Sequence, residues 1–506
     1  MTKKILGKEC RFAVYIPPAE HGGDDYHLIK EITHYEGNES SSDVKLVKNM
    51  KRPFWVTKKG FQNHESKKEW EKQEHLIKFE TTESQMNESI AKAMNKRWLA
   101  GDKRKLFSEP YLYGADILST SIIKQMYLDK YKEIRTYSTV AVYDVETDVV
   151  IGHGEINIAS VTMKDKCYTW VTKEYVEGIG NVHYQVDEMM NKYLGKYVTD
   201  RNLKCELHIV DNAIEIVKQS FLKLHEIKPD FLEFWNMDFD ISRILDACTA
   251  YNVDPKDIFS DPIVPVQNRF FRYKQGKKQK VTASGVVTPI KPADRWHTVF
   301  APSSFYCIDG MCVYKKVRQG KQEEPSYRLD SILDKELGVR KLNFTEADHI
   351  KIKLKWHQYM QTNYKLQYII YNRFDCISVE LLDEKTLDVC ATLSEFSGCS
   401  DYELFSSLPK RAAERLHFYV MNKGLIIGTS GKSLVEDLDE ETMKLSGWIS
   451  NLAAELVLVS NTTLIEETDA IRSLIFSWVG DLDIGSSLSY SILLEFFGIA
   501  LLVSNN

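Results

Sequence analysis

The sequence predicts an α/β protein of more than one domain, and three observations carry that prediction. Strand-like apolar runs follow one another from Ser138: residues 140–147, 154–163 and 167–172. Between Asn212 and Glu226, Ile214, Val217, Phe221 and Leu224 recur at helical spacing and mark one buried face. A further apolar strand, Phe231 to Asn236, then turns at Phe239-Asp240 into a helical segment that opens at Ile241. Strands, helix, strand and helix in this order make an α/β layout. At 506 residues, 43% hydrophobic and 27% charged, the chain has an ordinary composition and length for about three domains with sizeable cores.

Charge and cysteine usage exclude several classes. The net charge of −6 argues against a protein that coats nucleic acid by bulk electrostatics, so any DNA contact would have to come from local basic patches and metal ions. Nine cysteines occur without a Cys-x-x-Cys pair, and Cys307 and Cys312 lack a neighbouring His pair. They read as reduced thiols of a cytosolic protein. No charged-then-apolar leader follows Met1, and the apolar run from Ile492 to Val503 is interrupted by Glu495 and too short to span a bilayer. A soluble protein without a membrane partner is expected.

Residues 1–135 mix short strands, Arg11 to Ile16 and Pro53 to Thr57, with polar loops and a Lys/Glu-rich helix from Ser66 to Phe79. Asn38 to Asp43 reads as an exposed loop. Lys48, Lys51, Arg52, Lys58 and Lys59 interleave with Phe54, Trp55 and Phe61, a composition that suits either base stacking or an aromatic core with a solvated basic edge.

The strand at Val140 delivers Asp144 and Glu146 two residues apart, so period two points them to the same side. Two carboxylates side by side are unfavourable unless a cation lies between them, and hard divalent ions are held by such groups together with substrate phosphates. A lone Asp-x-Glu is more often a solvated strand end. Two further acidic sites follow. Asn236, Phe239 and Asp240 lie at the strand-to-helix turn, where Asp240 alone reads as a helix cap. Tyr371 and Asp375 are four apart in a helical stretch with Phe374, Ile377 and Leu381 on its apolar face, which stacks the tyrosine over the aspartate. This helix is expected to continue through Leu387 toward Leu393.

Asp-x-Glu on a strand, Asn-x-x-Phe-Asp at a turn and Tyr-x-x-x-Asp on a helix, in that order, resemble the Exo I, Exo II and Exo III motifs of family B DNA polymerases. The segments Lys51 to Gly60 and Ser108 to Asp116 resemble the front end of such polymerases of the tailed-phage, T-even-like type. The resemblance covers about residues 1–430. It implies a polymerase N-terminal domain of α+β build over 1–135, a ribonuclease-H-like 3′–5′ exonuclease domain with a mixed sheet flanked by helices over 136–390, a return to the N-terminal domain over 391–430, and an incomplete palm over 431–506.

Residues 269 to 280 alternate basic and aromatic side chains around Gly276, and the natural reading is a hairpin turning at Gln275-Gly276. The resemblance implies that this hairpin parts primer from template, with Asn236, Phe239, Arg269, Phe271, Arg272 and Lys274 as candidate DNA contacts. Beyond Gly424 the match thins. Asp483 and Ser486 fit the first polymerase motif, but Leu488 and Ser489 replace its Tyr and Pro, and no Tyr-x-Asp-Thr-Asp follows. Asp483 alone cannot hold both polymerase ions, so this chain is expected not to extend a primer by itself.

The resemblance implies two Mg²⁺ or Mn²⁺ ions, with Asp144 bridging them, Glu146 and Asp375 completing the hydrolytic ion, Asp240 holding the second, and Tyr371 orienting the attacking water. It also implies phage DNA replication in the cytoplasm of an infected bacterial host. The partners would be single-stranded 3′ ends and primer-template DNA, a second polypeptide with the remaining palm, fingers and thumb, and a sliding clamp. A reading from another class keeps the acids for structure and makes the chain a non-catalytic DNA-binding or docking subunit, using the basic-aromatic stretches at 48–61 and 269–280.

Overall fold

The structure, a computed structural model, describes residues 4–37, 39–97, 103–131, 136–281, 285–318, 322–393, 416–429, 462–467 and 472–476. It is a mixed α/β protein with several sheets. The chain forms two compact units, one of Met1–Pro53, Glu80–Met86 and Ile117–Tyr419, the other of Phe54–Phe79, Asn87–Asp116 and Val420–Asn506.

The first unit is organised on a six-stranded mixed sheet. Its spatial order is Lys204–Val210, Lys166–Thr172, Ile156–Met163, Val140–Thr147, Phe231–Phe234 and Tyr306–Asp309. Ile156–Met163 runs antiparallel to both of its neighbours, and every other pairing is parallel. Strand alternation sorts the side chains between two cores. Ala141, Tyr143 and Val145 face the helices Ala213–Ile227 and Met237–Ala250, with Ile214, Val217, Phe221, Ile241 and Ile244 in the same cluster. Val142 faces the opposite side, against Leu329, Leu333, Cys376 and Val379 of the helices Leu329–Leu337 and Lys365–Thr386. The acid positions 144 and 146 therefore share the side of the sheet covered by the long helix Lys365–Thr386.

That helix is buried on most of its circumference, as expected of one wedged between a sheet and other helices. Phe374 and Ile377 lie in its core contact, as the spacing predicts, together with Ile369 and Ile370. It ends earlier than expected. Leu387 closes it in the left-handed conformation (φ 56°), Asp383 Oδ1 accepts from Val389 N at 2.7 Å, and Asp388–Leu393 forms a separate π-helical turn. A carboxylate that captures the next backbone amide competes with further helix.

An antiparallel sheet of Ile5–Ile16, Tyr26–Tyr35 and Glu39–Lys48 completes this unit, backed by the helix Ser119–Lys130. Phe12, Val14 and Leu28 share a core with Val140, Phe231 and Tyr306 of the central sheet. Beside this core Lys30, fully buried, binds Asp230 at 2.7 Å and the carbonyls of Lys228 and Pro229 at 2.8 and 2.6 Å.

Several expectations require correction. The serines of 40–42 are not loop but exposed edge strand, because backbone pairing with Ser41↔Thr33 and Ser42↔Ile32 needs no apolar side chain. No α-helix forms over 66–79, only a single 3-10 turn at Gln73–His75. Trp70–Lys72 pairs with Leu425–Ile427, and Leu76–Thr82 joins a sheet with Lys51–Thr57 and Leu112–Tyr113, so the charges there alternate along strands. At Phe54 and Trp55 the structure decides between the two readings in favour of the aromatic core, with both buried and Phe54 stacked on Phe79 at 5.2 Å. The hairpin is displaced. Arg272–Lys274 pairs with Thr298–Phe300, while Gln279–Val281 pairs with Val287–Pro289 across a loop whose left-handed residue is Gly285 (φ 81°). Gly276 instead packs where a Cβ would meet the Arg295 backbone at 2.6 Å. The helices Val182–Arg201 and Lys353–Asn363 and the strand Lys204–Val210 add to the layout read from sequence. The positions of Asp483, of residues 410–415 and of the apolar run 492–503 lie outside the described residues.

Candidate metal centre

The strand Val140–Thr147 brings Asp144 opposite Ser160 and Glu146 opposite Ile158. Between Glu146 and Thr147 the register slips by one residue. Such bulges re-aim a side chain at the end of a ladder. Asp375 arrives from the long helix, and one carboxylate oxygen from each of Asp144, Glu146 and Asp375 lies within 4.8 Å of the others. Asp375 is buried; Asp144 and Glu146 are half-buried.

Each carboxylate is held by its own donor. Asn372 Nδ2 donates to Asp144 Oδ2 at 2.7 Å and also to the Asp144 carbonyl at 3.3 Å. Tyr368 donates its hydroxyl proton to Glu146 Oε2. Lys341 Nζ donates to Asp375 Oδ2 at 2.5 Å and to the Tyr371 hydroxyl at 3.2 Å. The remaining Asp375 oxygen, Oδ1, is buried without a hydrogen-bond partner. A buried carboxylate oxygen left unpaired is costly. Three oxygen donors that converge beside such an atom fit a hard divalent cation, which takes carboxylate ligands. The three residues therefore form a cluster able to hold a metal ion.

Asp240 lies next to this cluster but outside the set of three. It is buried in the first turn of the helix Met237–Ala250, which starts four residues earlier than the sequence suggested, so Asp240 is not its cap. Its Oδ1 accepts from the amide of Val145, the residue between the two strand acids, at 3.1 Å. It thus pins the acid strand and adds charge to it. Burial, followed by Asp240, Asp375 and Glu146, pushes the Asp144 carboxyl well above its usual range, with Lys341 opposing. Burial also raises Glu146 to about 7, against the hydrogen bond from Tyr368. For Asp375 burial again dominates over the nearby Lys341, and the direction is upward. Burial works against the Lys341 ammonium, but Asp375, Tyr371 and Asp144 outweigh it and keep it charged. Burial raises Asp240 as well, so four acids of raised pKa surround one partly enclosed centre, a cost that a nearby cation would offset.

No family model matches the chain, and no curated protein matches it in sequence. The site stands on its own geometry.

Of the other candidate residues, Tyr371 lies at the cluster and the rest are dispersed. Tyr371 stacks over Asp375 as expected and is buried, its hydroxyl accepting from Lys341. Asn236 precedes the Met237 helix and is exposed, and Phe239 is 46% exposed with the Arg243 guanidinium 5.9 Å from its ring. Arg269 is taken up by the fold, donating to Val264 O at 3.1 Å and to Asp257 Oδ1 at 3.3 Å. Phe271 packs on Phe259 at 4.6 Å, Arg272 lies 4.0 Å over the Phe300 ring, and Lys274 is exposed. Sequence reasoning passed over Lys341, Tyr368 and Asn372. Asn372 adjoins Tyr371 in the helix motif and is fully buried, and Tyr368 shares its helical face at i, i+3, so both carried a signal. Lys341 sits in a polar loop and carried none.

Proposed function

We propose that this chain is a metal-dependent 3′–5′ DNA exonuclease, the proofreading portion of a family B DNA polymerase of phage type, built on a ribonuclease-H-like domain. The observation that carries the reading is the convergence of Asp144 and Glu146 with Asp375, more than two hundred residues away, with each carboxylate held by a separate donor. Supporting it are the mixed sheet flanked by helices, with acids at the end of a central strand, and the order of the three motifs along the chain.

Asp144, Glu146 and Asp375 would hold one Mg²⁺ or Mn²⁺ ion, and Asp144 with Asp240 a second. When bound, such ions supply Lewis-acid polarisation of a phosphodiester and neutralise charge developing on the attacking and leaving oxygens. The residues of the chain do the positioning. Asn372 and Tyr368 fix the two strand acids, and Lys341 fixes Asp375 and the Tyr371 hydroxyl. Tyr371, held in this way, orients the attacking water. Lys341 adds a positive charge beside the phosphate, and the exposed Phe239 offers a ring to a terminal base. Single-stranded 3′ ends and primer-template DNA are the proposed substrates, with a second polypeptide and a sliding clamp as proposed partners. Among the described residues no helix is long and apolar enough to cross a membrane.

The test is shortening of a 5′-labelled oligonucleotide with Mg²⁺ or Mn²⁺, against an EDTA control. Removing the metal ligands by Asp144→Ala with Glu146→Ala is expected to lower the rate at least ~100-fold, the effect of losing about 3 kcal/mol of transition-state stabilisation. Undiminished cleavage by the double variant removes the assignment, and salt-sensitive binding without cleavage by the wild type favours the docking subunit instead.

A further inference from the structure

The helix Lys353–Asn363 carries none of the motif residues, yet it grips the end of the acid strand. Gln361 Nε2 donates to the Thr147 carbonyl at 2.9 Å, and its Oε1 accepts from Val149 N at 3.3 Å. Gln358 Nε2 donates to the Val149 carbonyl at 3.0 Å. Gln361 is buried to 2% exposure, so these contacts are shielded from water. One helical turn earlier, His357 Nδ1 lies 2.7 Å from the Tyr368 hydroxyl, which itself bonds Glu146 Oε2.

The direction of this chain follows from proton counting. A tyrosine hydroxyl has one proton, a carboxylate only accepts, and a neutral imidazole donates from one nitrogen. Tyr368 gives its proton to Glu146, so His357 must donate from Nδ1 to the tyrosine oxygen, which fixes the Nδ1–H tautomer. Burial, Lys353 and Lys341 hold His357 down to about 4, so the ring is neutral at working pH. Trp356 from the same helix packs against Tyr368 and Tyr371 with ring centroids at 6.3 and 5.2 Å, closing the relay off from the side.

We infer that His357 and Tyr368 are positioning residues that lock the orientation of Glu146, with the helix Lys353–Asn363 as the support that sets the reach of the acid strand. The inference rests on the metal-centre reading above. Without the tyrosine proton, Glu146 is free to rotate about its terminal bond and its oxygen is no longer fixed for an ion. Partners one step behind a metal ligand characteristically alter affinity 10–100-fold.

Two measurements test it. The first is free of metal: nitrogen-15 NMR of histidine-labelled wild type in EDTA at pH 8 or above, where the Glu146 carboxyl is ionised, is expected to show His357 as the Nδ1–H tautomer, and the Nε2–H tautomer overturns the relay. The second reads Mn²⁺ affinity by the electron paramagnetic resonance of the free ion. Tyr368→Phe and His357→Leu are expected to weaken binding ~10-fold, whereas His357→Gln, which keeps an N–H donor, stays within about threefold of wild type. Wild-type affinity in a cooperatively melting Tyr368→Phe overturns the relay alone. A wild type that binds no Mn²⁺ overturns the metal centre and the positioning role with it, and the tautomer still tells whether the hydrogen-bond chain exists.

Discussion

Replacing Glu146 by glutamine is expected to stabilise the metal-free protein while impairing its response to metal. Burial sets the Glu146 carboxyl at about 7 instead of 4.5, with Asp375 adding to the rise and Tyr368 and Lys341 opposing it. A raised carboxyl favours the protonated folded state, so its contribution to stability is present at low pH and is lost as pH climbs from about 4.5 to about 7. At pH 8 the ionised group therefore costs the fold up to ~3 kcal/mol. Glu146 is half-buried, and solvent screening reduces this to about 1–2 kcal/mol. Glutamine keeps an acceptor for Tyr368 and removes the charge. In EDTA at pH 8 the variant should melt higher by about 2–8 °C, at ~2–4 °C per kcal/mol. The gain should shrink toward zero as pH falls to about 4.5. Saturating Mg²⁺, at 100 times its dissociation constant, stabilises the wild type by ~2.7 kcal/mol, and the variant should respond less. Scanning fluorimetry at several pH values, with EDTA or Mg²⁺, reads both effects. A variant less stable than wild type in EDTA at pH 8, or an equal Mg²⁺ response in the two proteins, refutes the charge-repulsion account of this centre.

Two other perturbations address the scaffold. Lys30→Met strands Asp230 beneath the N-terminal sheet with only Thr139 and the more distant Arg11 as partners, and breaking such a buried pair costs ~3–5 kcal/mol; denaturant unfolding monitored by tryptophan fluorescence should show it, and a loss below about 1 kcal/mol would mean water replaces the lysine. Glu31 has the opposite sign from Glu146. Burial alone would raise it, but hydrogen bonds from Lys45, Lys8 and Tyr127 hold it at about 2, so its contribution is present above about 4.5 and is lost as pH falls toward 2. Glu31→Gln should flatten acid unfolding in that window by up to ~3 kcal/mol, and an unchanged acid transition would show that the three donors do not stabilise the charge.

Local patterns were legible where period and chemistry agree. The period-two run at Val140 fixed which side chains share a face, so Asp144 and Glu146 could be paired from sequence alone. The spacing of Phe374 and Ile377 likewise placed both in the packing of the long helix, and i, i+4 spacing put Tyr371 and Asp375 on one side of it. Backbone pairing was not legible in the same way, because it is set by partners far along the chain. Residues 66–79 are charged enough to read as a helix, yet Leu425–Ile427, some 350 residues on, takes Trp70–Lys72 as strand. Gly276 looks like a turn until the Arg295 backbone is seen against it. The metal centre divides along the same line. The identity of its carboxylates follows from short-range spacing. Their donors follow only in part: Tyr368 and Asn372 share the helix of Asp375, but which acid each serves, and Lys341 altogether, depend on where that helix and its neighbouring loop settle on the sheet. A lysine in a polar loop has no periodicity to betray it. Only tertiary packing, which shields the acids from water and places one donor on each, turns three carboxylates into a cluster able to hold a metal ion.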